Sequence, residues 1–62
     1  MPFSEQLKAA RKSAGLSQRQ LAELMGISKR SIENWEYGKR TPLEFTQNAV
    51  LAQIAALGGG GK

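Results

Sequence analysis

The chain contains no cysteine and no histidine. Their absence excludes disulfides, zinc sites, thiol nucleophiles and imidazole acid–base chemistry together, and nothing points to an oxidising compartment. Aromatic residues are few: two Phe, one Trp and one Tyr. Long hydrophobic runs are absent too. The longest uncharged stretch, Phe45 to Gly61, is broken by Thr46, Gln47, Asn48, Gln53 and four glycines, and the opening MPFSEQLK is polar. Neither a membrane span nor a signal peptide is therefore expected, and the expected compartment is the cytoplasm.

Sixty-two residues are enough for one domain with a small core. A chain of this length buries only about 60% of the surface exposed when it is unfolded. Without staples such a domain reaches roughly 3–5 kcal/mol of stability, so its large apolar side chains have to share one centre. Nine basic against five acidic residues give a net charge of +4, and five of the nine lie between Arg19 and Arg40. The total speaks mostly for solubility; the placement is the informative part.

A first helix is expected from about Ser4 to Ala14, with Ser4 as N-cap, Glu5 in the first turn and Gly15 as the stop. Its apolar face collects Phe3, Leu7, Ala10 and Ala14, and Arg11 lies near that face, so its charge needs an internal partner. A second helix opens at Leu16-Ser17-Gln18-Arg19-Gln20-Leu21. There Ser17 and Gln20 have capping-box spacing, and Leu16 and Leu21 have staple spacing. Gly26 ends it, and Ile27-Ser28 repeats the device for a third helix. That short connection makes the two helices cross steeply through Leu21, Ala22, Met25, Ile27, Ile32 and Trp35. Gly38 closes the third helix. A last helix starts near Pro42 with Thr41 as N-cap and Glu44 in a capping box; an alternative start uses Thr46 with Phe45 stapled to Val50. It runs to Leu57, with a main stripe of Leu43, Val50, Leu51, Ile54 and Leu57. A second apolar side carries Phe45, Ala49, Ala52 and Ala56. Gly58 to Gly61 cannot hold a helix, so residues 1–57 form the domain and 58–62 a flexible tail or linker.

Counted from Gln18 as the first of twenty residues, Leu21, Ala22, Met25, Gly26, Ile27, Ile32 and Trp35 are apolar or small wherever two crossing helices must touch. With LSQRQLAELMGIS followed by SIENWEYGKRTP, the sequence resembles the lambda-repressor-like, Cro/cI-type (XRE-like) helix-turn-helix family from Leu7 to about Leu57. The resemblance implies an all-α bundle of four to five helices whose third helix reads bases in the major groove of double-stranded DNA, usually as a homodimer. It also implies a transcriptional regulator, expected to be a repressor of bacterial, phage or plasmid origin.

The residues themselves support this. Ile32 and Trp35 face one way on the third helix, while Arg30, Asn34 and Tyr37 face the other, with Lys29 and Glu33 alongside. Guanine offers two acceptors that suit Arg30 or Lys29, and adenine an acceptor and a donor that suit Asn34. The family geometry adds Ser28 to these base-reading positions. For Glu33, a helix-surface pair with Lys29 or Arg30 is favoured over cytosine recognition. Phosphate contacts are expected at the start of helix two from Gln18, assisted by Arg19. After helix three, Tyr37, Gly38, Lys39 and Arg40 resemble the family's second phosphate clamp. Arg11 and Glu36 are read as a structural ion pair joining helix one to helix three, an assignment that the resemblance also implies.

An enzyme is the least favoured class, because no nucleophile has an evident base and the GGGG run lacks the strand-turn-helix context of a phosphate loop. No cofactor, metal, small-molecule substrate or membrane partner is expected. Sequence-specific RNA readers stack bases on exposed aromatics, and Phe3, Phe45 and Trp35 have core readings here, leaving only Tyr37. The competing reading is an antitoxin-like or other protein-interaction module that binds its partner through the last helix.

Overall fold

Three helices end in the same way, each at a glycine. The computed structural model describes residues 2–58, and in it α1 (Phe3–Ser13), α2 (Gln18–Met25) and α3 (Lys29–Tyr37) are followed by α4 (Glu44–Gly58), with no strand among the described residues. At each stop the amide of the residue after the glycine reaches back to a carbonyl left open by the last turn. Leu16 donates to Arg11 O at 3.1 Å, Ile27 to Ala22 O at 3.0 Å and Lys39 to Asn34 O at 2.9 Å. Closing these carbonyls requires a left-handed residue between, which Gly26 (φ 71°) and Gly38 (φ 79°) supply in the segment from α2 to the end of α3.

A Cβ built at Gly26 meets nothing within 4 Å, so a side chain there would be strained without clashing. Gly26→Ala is therefore expected to cost about 1–2 kcal/mol through backbone strain alone, read from the urea midpoint, with the helical circular dichroism unchanged at low urea. A midpoint equal to wild type would mean that the turn closes in another conformation.

The helix starts are local as well, with two departures from the expected boundaries. Ser17 and Gln20 form the reciprocal capping box, each side chain accepting from the other's amide, at 3.0 and 2.9 Å. Ser28 Oγ accepts from Ser31 N–H at 3.2 Å and caps α3. Ser4, however, does not cap α1. Its place is taken by Pro2, whose backbone carbonyl accepts from Glu5 and Gln6 at 3.0 and 3.1 Å, so that Phe3 is already helical. Nor does α4 begin at Pro42 or restart at Thr46. Gln47 Nε2 donates to the Pro42 carbonyl at 2.8 Å while Gln47 N–H bonds Leu43 O, and these two bonds set the first turn at Glu44. Leu43 and Phe45 consequently leave the predicted stripe and staple, standing 79% and 83% exposed. At its other end α4 takes in Gly58, one residue beyond the expected limit, and residues 59–62 of the predicted tail lie outside the described residues.

Phe3, Leu7, Leu21, Ala22, Ile32, Val50 and Ile54 form the buried core, with Ala10, Ala14, Leu16, Met25, Ile27, Trp35 and Leu51 packed around it. Phe3 meets Trp35 edge to face, ring centres 6.2 Å apart. Burying a side chain such as Leu7 or Ile32 contributes about 1.5–3 kcal/mol, so a few such residues account for most of what a domain this small can gain. α3 packs against both α1 and α2, and α4 packs against α1. The recognition of any ligand by α3 is thus left to the side that neither helix covers.

Candidate nucleic-acid interface

At about 100° per residue, the side of α3 turned toward α1 and α2 carries Ile32, Trp35 and Glu36, and the opposite side carries Arg30, Asn34 and Tyr37. Burial follows that division: Ile32 and Glu36 are buried, Arg30 and Tyr37 exposed, and Asn34 half-buried. Lys29 Nζ lies 3.0 Å from Glu33 Oε2, so of the two cations within reach of Glu33 the structure selects Lys29. Arg30 has no hydrogen bond or ion pair among the described residues. Ser28 is exposed, but its hydroxyl is engaged with Ser31, whose own Oγ lies 3.1 Å away. Its first duty is the cap.

Behind α3 lies a compact polar junction. Glu36 receives Arg11 Nε on Oε2 at 2.6 Å, and on Oε1 it receives both Arg11 Nη2 and Gln18 Nε2 at 3.1 Å. Arg11 Nη1 donates in turn to the Leu16 carbonyl at 2.9 Å. One carboxylate, its side chain 1% exposed, therefore ties together α1, the α1–α2 turn, the start of α2 and α3. Burial by itself pushes the Glu36 carboxyl toward the protonated form. Hydrogen bonds from Arg11 and Gln18, with the positive charges of Arg11 and Lys8, outweigh it and hold the group below its ordinary pKa. The same hydrogen bond raises Arg11 above its usual value against the effect of burial.

Gln18 thus has two faces: one amide hydrogen goes to Glu36, while the other and the carbonyl oxygen have no partner among the described residues. The capping box occupies the amides of Ser17 and Gln20, leaving the N–H groups of Gln18 and Arg19 without an intrahelical acceptor. Arg19 pairs loosely with Glu23 at 3.6 Å on an open surface. At the far end of α3, the amides of Gly38, Lys39 and Arg40 turn back onto the carbonyls of Asn34 and Trp35. Contact with an anion there falls to side chains, and those of Lys39 and Arg40 are exposed and unpaired among the described residues. Arg30, Lys39 and Arg40 accordingly form a set of cations that the fold does not use. No group of His, Cys, Asp or Glu that could hold a metal occurs among the described residues.

The profile of the helix-turn-helix family matches residues 7–46, from Leu7 in α1 to the first turn of α4. The chain belongs to the Cro/cI-type, XRE-like helix-turn-helix family. As a member it is a double-stranded-DNA-binding regulator, in a family that is typically not enzymatic. Neither the curated proteins nor the solved structures contain a match to the chain. In this helix-turn-helix protein, α2, the turn at Gly26 and α3 are the motif, and among the described residues no helix is long and apolar enough to cross a membrane. Sequence reasoning missed the attachment of Gln18 to Glu36. Its only local signal was that Gln18 opens α2 next to the turn into which Arg11 projects.

Proposed function

We propose that this regulator is a sequence-specific repressor that lays α3 in the major groove, with Arg30 and Asn34 as its principal base readers. What carries the reading is the state of Arg30: exposed, on the uncovered side of α3, with no partner among the described residues, on a helix braced from behind by Arg11, Gln18 and Glu36. Its planar fork suits guanine O6 and N7, and the Asn34 amide suits adenine N6 and N7. Lys29 and Ser28 lie beside them at the start of the helix. In this reading the phosphates are held on one side by Gln18 and Arg19 at the start of α2. On the other side Tyr37, Lys39 and Arg40 grip the backbone, with Gly38 giving close approach. These contacts set register and affinity while base contacts set sequence.

One such head covers few base pairs, and specificity then needs two heads on half-sites about one helical turn apart. We assign the homodimer contact to the outward side of α4, where Phe45, Ala49, Ala52 and Ala56 share one face and each is exposed. The exposed Leu43 and Phe45 also favour the second reading, a protein-interaction module that docks a partner on α4.

Selection of bound sequences from a random duplex library tests the proposal. A two-fold symmetric motif is the expected result. Lys39→Ala should leave the motif unchanged, weaken binding evenly across sequences and flatten the slope of log K against log salt by about 0.9. A library without enrichment would overturn the repressor reading and direct the search to a protein bound by α4.

A further inference from the structure

The uncovered side of α3 carries one acidic group, and the company it keeps is specific. Glu33 lies within reach of both Lys29, four residues earlier, and Arg30, three residues earlier. Lys29 takes it at 3.0 Å, Arg30 stays free, and the couple remains open, its side chains 53% and 33% exposed. Helical geometry places Glu33 about 40° from Tyr37 and about 60° from Arg30, so its carboxylate stands within the surface offered to a groove. Alone, a carboxylate between two rows of phosphates would be repelled. Joined to Lys29 it belongs to a neutral couple that presents a donor and an acceptor side by side.

We propose that Lys29 and Glu33 read one G·C base pair as a single donor–acceptor unit, which makes Glu33 a specificity-determining residue. The inference rests on α3 being the groove-binding helix. Within the couple, the ammonium keeps two further N–H donors and the carboxylate keeps free lone pairs. Along the major-groove edge a G·C pair presents the acceptors N7 and O6 and then the cytosine N4 donor. O6 and N4 are hydrogen-bonded to each other, roughly 2.9 Å apart, a spacing that matches Nζ to Oε2. Seating the ammonium on N7 and O6 therefore brings the carboxylate over N4. An A·T pair breaks the match twice: a donor, N6, follows N7, and the thymine methyl occupies the outer edge.

The experiment is sequence selection with wild type, Lys29→Ala, Glu33→Ala and the double variant, each first checked for wild-type helicity and thermal midpoint. A G·C position present in the wild-type motif is expected to lose preference tenfold or more in both single variants. In the double variant that position should be no more degenerate than in either single, because the two residues act as one reader. Should Glu33→Ala keep the wild-type motif and bind all sequences more tightly, Glu33 is only a repulsive charge and the inference fails while the groove-reading proposal stands. A wild-type library without any motif would overturn both.

Discussion

Glu36→Ala is expected to leave much of the protein unfolded at room temperature. The substitution strands the Arg11 guanidinium, whose side chain is 12% exposed, with only the Leu16 carbonyl, and releases the Gln18 amide. Breaking a buried ion pair by removing one partner commonly costs about 3–5 kcal/mol. That equals the roughly 3–5 kcal/mol that an unstapled domain of this size has in total. Helical circular dichroism at 25 °C and a urea titration give the answer. The pair is a connector more than a source of net stability, because its desolvation cost offsets much of the attraction. Arg11→Met combined with Glu36→Leu should accordingly recover most of the stability that Glu36→Ala loses. A Glu36→Ala protein with a near-wild-type urea midpoint would show that the junction does not anchor α3.

The same carboxylate makes stability depend on pH in a defined direction. Glu36 has its folded-state pKa held below the ordinary value of about 4.3 that it regains on unfolding. Its contribution is thus fully present above about 4.3, and it disappears as pH falls through the lower folded-state value. Arg11 stays charged throughout. Urea midpoints measured from pH 7 to pH 3 should fall at the acid end for wild type, and fall less steeply for Glu36→Gln, which cannot titrate. Equal slopes would locate the acid sensitivity elsewhere.

Arg30→Ala is expected to have the largest effect on DNA recognition with almost none on folding. Arg30 is exposed and unpaired among the described residues, and alanine is the strongest helix former, so stability should stay within about 0.5 kcal/mol of wild type. A bidentate contact to guanine discriminates by about 1–3 kcal/mol, and its loss should relax the motif at one or two positions. Binding to the selected site and to each of its single-base variants separates the possibilities. Affinity that falls at the wild-type site but hardly at its variants at those positions identifies a base reader. An even fall across all sites would make Arg30 a phosphate contact instead. Arg30→Lys should restore the charge but not the full discrimination, since a single ammonium lacks the fork.

The three helix stops, the capping box of α2 and the two-sided character of α3 were all legible from residue spacing. Ser17 with Gln20, Ser28 before α3, and Gly26 and Gly38 with the carbonyls they close all act within about five residues along the chain. The uncovered side of α3 was legible for the same reason: periodicity alone separates Arg30 and Asn34 from Ile32 and Trp35. Less legible was the beginning of α4, where Thr41, Pro42, Glu44 and Thr46 offered competing starts. A side-chain bond from Gln47 to the Pro42 carbonyl chose among them.

By itself the sequence determined the caps of α2 and α3, the glycine stops of the first three helices and the two-sided character of α3, because capping and amphipathicity depend on neighbours a few residues away. Only the tertiary structure decided the distribution of partners. It formed the expected Arg11–Glu36 pair across 25 residues and, beyond that expectation, added Gln18 to the same carboxylate, while Arg30 has no partner among the described residues. It also turned Leu43 and Phe45 out to solvent. The physical reason is that a charge takes the partner that helix crossing places within hydrogen-bonding distance, and crossing geometry is set by the whole core.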